Sequence, residues 1–191
     1  MRPDSMGIYP AGHCVEPSSG ELTGTDVQVC CKRLNDLVNV FQDETAWGKM
    51  DPGTLIYSVY RYTPVTNDAE CGLSFGTTLL MPGCVGDEYF ITQGHFHKKN
   101  NRGEYYWGIG GRGLLILMDR ARSYRVERMA PGTIHYIPAD TAHRVCNDGD
   151  GILSFGACWH ADAGYDYTSI REYGFSVRVI SSAGKTVLRP V

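Results

Sequence analysis

From residue 55 onward the chain alternates short apolar or β-rich runs with turn signals. The runs cover residues 55–62, 73–80, 88–92, 105–109, 114–118, 124–129, 133–137, 144–146, 152–159 and 175–180. They are closed by Pro82-Gly83, Gly94, Pro131-Gly132, Pro138 and Asn147-Asp148-Gly149. The unbroken run Leu114-Leu115-Ile116-Leu117-Met118 predicts a strand covered on both faces. Gly110-Gly111-Arg112-Gly113 lies between two runs rather than ahead of a helix, which predicts a hairpin turn and not a phosphate-cradling loop. Upstream, Leu34, Leu37, Val38 and Phe41 share one face at helical spacing and predict a helix, closed by a turn at Pro52-Gly53. Residues 1–30 read as a strand-like or irregular arm. The pattern predicts an all-β sandwich or barrel in one domain spanning 1–191, with arm and helix over 1–50 and a barrel over 55–180.

Composition narrows the function classes. Hydrophobic residues are 42% and charged residues 20% of 191, so the chain can bury a core and is not of disordered type. The net charge of -3, with no basic block, argues against nucleic acid and leaves a small anionic substrate open. Residues 1–20 lack a signal-like apolar core and no run reaches membrane-spanning length, so a cytoplasmic location without a membrane partner is expected. Seven cysteines, with no CxxC pair, fit free thiols in a reducing compartment.

The chemistry concentrates in Gly94-His95-Phe96-His97 and Glu104-Tyr105-Tyr106. On a strand, His95 and His97 aim both imidazoles to one side. The six-residue gap to Glu104 lets the chain reverse and return a carboxylate beside them. His143 follows a Pro-containing turn and opens another strand-like run. Imidazoles with a carboxylate suit a borderline divalent metal such as Fe, Mn, Ni or Zn. His13, His135 and His160 stand outside this spacing and read first as surface or packed residues.

The two segments resemble the paired motifs of the cupin superfamily. His95, His97 and Glu104 are followed by Gly111, and the second motif runs Gly132, Pro138, Asp140, His143, Asn147. Asp140 stands where many cupins have Gly, so the tight turn must be made differently. The longer gap before Glu104 and the Tyr at 106 resemble one branch, the metal-dependent cupin-type glucose-6-phosphate isomerases. The likeness runs from about residue 33 to about residue 180, including Gly76-Thr77-Thr78, Ala161-Asp162-Ala163-Gly164 and Asp166-Tyr167.

That resemblance implies a cupin double-stranded β-helix, a jelly-roll barrel. It implies one divalent metal per chain, iron first, on His95, His97, Glu104 and His143, with Glu104 as the favoured C1/C2 proton-transfer base, a hydride shift between the carbons being the alternative, and Tyr106 near the reacting oxygens. It further implies phosphate or substrate contacts from Thr78, Thr92, Gly94, Arg102, Trp159 and Tyr167. Trp159, His160 and Tyr165 replace family residues, which touches the grip on substrate and not the metal ligands. A phosphorylated sugar is the expected substrate and a homodimer the expected assembly. The competing readings are another metal-dependent cupin enzyme, a dioxygenase or sugar epimerase, and a non-catalytic sugar-phosphate-binding cupin.

Overall fold

The computed structural model describes residues 11–65 and 72–191. Residues 1–10 of the arm, and Cys71 among the thiols, lie outside the described residues.

The all-β expectation holds. A six-stranded antiparallel sheet runs in the order Ile134–Ile137, Glu104–Gly110, Leu153–His160, Leu73–Leu80, Leu55–Tyr62, Gln28–Arg33. A three-stranded sheet, Tyr124–Met129, Gly113–Met118, Ala142–Cys146, forms the opposing wall. The central strand of that wall is buried at every position, which is why its sequence is apolar without alternation. Side chains from both walls share one core, including Leu115, Val145, Phe155 and Tyr106.

Three local expectations are corrected. First, the 34–41 helix does not form. Leu34–Leu37 is a 3-10 turn, and the α-helix comes later at Glu44–Lys49, capped by Asp43 Oδ1 accepting from the Ala46 amide at 2.8 Å. Leu34, Leu37 and Phe41 are buried as the periodicity requires, but Val38 is 58% exposed. A single 3-10 turn packs the first two, so the apolar spacing never needed a full helix.

Second, residues 110–113 are not a hairpin turn. The strands they join do not pair with each other: Glu104–Gly110 pairs with 134–137 and 153–160, and Gly113–Met118 pairs with 124–129 and 142–146. The segment carries the chain from one wall to the other. Gly111 turns with φ +74, and a Cβ there would meet the Ile152 carbonyl oxygen.

Third, the sheet does not stop at residues 55 and 180. Gln28–Arg33 is an edge strand of the main sheet rather than arm, and Lys185–Pro190 pairs with Val177–Ser182.

Candidate active site

The barrel wall is built from alternating residues, so register decides which side chains meet inside. One inward row runs Gln28, Arg61, Gly76, Ala157, Tyr106 through cross-strand pairs. The next holds Cys30, Val59, Thr78 and Phe155. From the other side, His95 bridges His143 through paired backbone hydrogen bonds, and Phe96–His97 pairs with Tyr165–Asp166. These elements enclose a cavity of about 380 Å³ whose lining includes His95, His97, Glu104, Tyr106 and His143.

The three histidines converge. One ring nitrogen of each lies within 4.8 Å of the others. His97 Nδ1 donates to the Arg102 carbonyl at 2.9 Å, and His143 Nδ1 donates to the Thr141 carbonyl at 3.2 Å. Those bonds leave Nε2 of each neutral imidazole as a lone pair facing inward. Glu104 Oε2 sits 3.1 Å from His97 Nε2 and 3.2 Å from His143 Nε2, the latter outside hydrogen-bond geometry. His95 Nε2 is buried and has no hydrogen-bond partner. The three imidazoles and the carboxylate form a donor set that fits a divalent metal.

Burial, followed by the neighbouring His143 and His97, pushes the His95 pKa well below its ordinary value. Burial acts the same way on His97, but the Glu104 carboxylate outweighs it and the pKa is raised. Burial pushes Glu104 up, and contact with His143 and His97 overcomes it, so the carboxyl titrates below its usual range. Tyr106, buried beside Glu104, is held well above the usual phenol and keeps its proton.

The other predicted residues divide. Thr78, Thr92, Trp159 and Tyr167 line the cavity. Thr92 Oγ1 already accepts from the Val145 amide at 3.0 Å, leaving its hydroxyl proton free to donate. Tyr167 is pushed up to about 12 by burial. Gly94 is buried with φ +75, and a Cβ there would meet the Phe175 ring, so its side-chain-free position answers a packing need. Arg102 turns away from the cavity: Nε and Nη2 bind Asp162 at 2.9 and 2.8 Å. The cations that line the cavity are Lys32 and Arg61, which sequence reasoning did not single out. Their signal was in the register, since both alternate inward with Cys30 and Val59.

His13 stacks on Tyr62, and His135 is buried between Thr133 and Glu127, so both are packed residues as expected. The expectation that the turn at Asp140 is made differently is corrected: Asp140 itself takes the left-handed conformation that a Gly would take, with φ +53, and accepts from Arg120 Nε at 2.9 Å.

Fold and site together define a β-barrel with an internal imidazole and carboxylate centre. The chain belongs to the glucose-6-phosphate isomerase family: the model described as Glucose-6-phosphate isomerase (GPI) matches residues 31–190. A glucose-6-phosphate isomerase of Thermococcus litoralis is 43% identical over 162 residues, 83% of each chain. Another, of Thermococcus onnurineus, is 40% identical over 179 residues, 92% of each. Among solved structures, a deletion mutant of Bacillus subtilis oxalate decarboxylase overlays on 57% of this chain and 27% of its own, with a TM-score of 0.46 and 21% identity.

Proposed function

We propose that this chain interconverts glucose 6-phosphate and fructose 6-phosphate by moving a proton between C1 and C2. The observation that carries the reading is the convergence of His95, His97, His143 and Glu104 at a cavity whose wall holds the hydroxyls of Thr78 and Thr92. His95, His97, His143 and Glu104 would hold one divalent ion, which supplies Lewis-acid polarisation of sugar oxygens when bound. Iron leads the candidates, with manganese, nickel and zinc suited to the same donors.

Glu104 takes the proton from C2 of the aldose and returns it to C1, while the proton of the C2 hydroxyl passes to the C1 oxygen, so that the carbonyl moves from C1 to C2. The Glu104 pKa lies below the usual range, so it enters the reaction as a base. Tyr106, protonated and with its ring centroid 5.7 Å from that of His143, donates a hydrogen bond to the oxygen on which charge develops. Trp159 and Tyr167 wall the sugar from bulk water, and Thr78 and Thr92 donate to the phosphate.

The chain would act in the cytoplasm, in glycolysis and gluconeogenesis. A homodimer is supported by exposed apolar side chains on the outer face of the six-stranded sheet: Val29, Tyr105, Ile134 and Tyr136. The test of activity is proton NMR of the metal-loaded protein with fructose 6-phosphate. Appearance of glucose 6-phosphate anomeric signals is expected, and their absence at saturating metal overturns the reading.

A further inference from the structure

A phosphate dianion in a cavity needs more than hydroxyls, because its charge must be met as water is stripped away. The cation that the spacing suggested, Arg102, is committed to Asp162 outside the cavity. Two other cations line the wall, Lys32 and Arg61, both half-buried. Among the described residues neither forms an ion pair with a carboxylate. Arg61 Nη2 donates instead to the neutral carboxamide Gln28 Oε1 at 2.7 Å. That contact orients the guanidinium and leaves its charge uncompensated.

Register sets the distances. Arg61 and Tyr106 occupy the same inward row, three strand spacings apart, or roughly 14 Å along the sheet. The long arginine side chain shortens that gap from one end. Gly76, between them, lacks a side chain where a Cβ would come within 3.2 Å of the Trp159 ring. The indole therefore lies over the position next to Arg61. Thr78 occupies the adjacent row, and Lys32 the row beyond it, opposite Tyr57. Tyr57 Oη in turn accepts from the Gln93 amide at 3.5 Å, beside Thr92. The cations thus bracket the wall hydroxyls, at the opposite end of the sheet rows from Tyr106 and Glu104. Arg61 also faces Tyr165.

We infer that Arg61, assisted by Lys32, supplies the positive charge that binds the anionic end of the substrate and makes the cavity select phosphorylated over neutral sugars. The inference rests on the isomerase reading for the identity of the substrate, while the charge pattern itself stands on the register.

The test is calorimetry on the full, metal-loaded chain with two non-reacting polyols, arabinitol 5-phosphate and arabinitol. Arg61→Gln should weaken the phosphorylated polyol about 10-fold or more and leave the neutral one unchanged. Arg61→Lys should recover part of the loss, and Lys32→Gln should show a smaller loss of the same kind. Added salt should weaken the wild-type phosphate affinity more steeply than that of Arg61→Gln. Unchanged phosphate affinity in Arg61→Gln, or equal losses for both polyols, overturns the inference. A wild-type protein that binds the polyol phosphate through Arg61 but fails to isomerise fructose 6-phosphate overturns only the isomerase reading.

Discussion

Asp162 and Arg102 form a two-point ion pair, with Nε to Oδ1 at 2.9 Å and Nη2 to Oδ2 at 2.8 Å. Lys99 adds a third contact to the same carboxylate at 2.7 Å. The carbonyl of Arg102 accepts from His97 Nδ1 and so fixes the imidazole that faces Glu104. A pair outside the cavity thereby holds an imidazole inside it.

Asp162→Asn should lower both melting temperature and metal affinity at neutral pH. Its hydrogen bonds with Arg102 and Lys99 depress the Asp162 pKa far below the usual carboxylate range. A depressed pKa stabilises the fold above the unfolded carboxylate value, and that contribution fades as pH falls toward the folded value. The gap in melting temperature between wild type and Asp162→Asn, measured without metal, should therefore be full at pH 7 and shrink below about pH 4. A gap that stays constant with pH would show that the charge plays no part.

Glu104→Gln keeps shape and hydrogen-bonding capacity but cannot accept the carbon-bound proton. Turnover at saturating metal should fall by about 10²–10⁴-fold. Exchange of the sugar C2 proton into deuterated water, followed alongside isomerisation, checks it. Isomerisation at a near-normal rate would remove Glu104 from the role of base.

His95→Ala and His143→Ala should each lower bound metal, measured by elemental analysis after dialysis. Chelation should abolish activity, and iron or manganese should restore it. His95 makes the sharper test, because its Nε2 has no hydrogen-bond partner to lose, whereas His143 Nε2 also lies 3.2 Å from Glu104 Oε2. Wild-type occupancy in either variant would strike that histidine from the ligand set.

Thr78→Val and Thr92→Val should both raise the KM for sugar phosphates, about 10-fold each, as expected for one hydrogen bond to a charged oxygen. Their stabilities should differ. Thr92 Oγ1 satisfies the Val145 amide, so its loss strands a backbone donor and should cost about 1–3 kcal/mol, a fall of several degrees in melting temperature. Thr78→Val should melt near wild type. Equal melting temperatures in the two variants would show that the Val145 amide finds another partner.

Much of this was legible in the chain. Residues 55–62, 73–80 and 124–129 coincide with observed strands, because alternation and β-branched side chains report local burial, which needs no knowledge of partners. His95 and His97 were readable together for the same reason, since alternate strand positions share a face, whereas their meeting with His143 depends on a bridge between distant segments. Pairing is not local. The segment 110–113 looks like a hairpin until strand order shows its flanks in different sheets, and Leu34 and Leu37 look helical until the core shows that one 3-10 turn suffices. The charges follow the same division. Sequence placed Arg102 near the metal motif, but a guanidinium goes to the best-oriented carboxylate within reach, and only the folded chain brings Asp162 to it from 60 residues away. Only the register of two neighbouring strands turns Arg61 and Lys32 into one cavity, because inward and outward positions are set by which residues pair across the sheet.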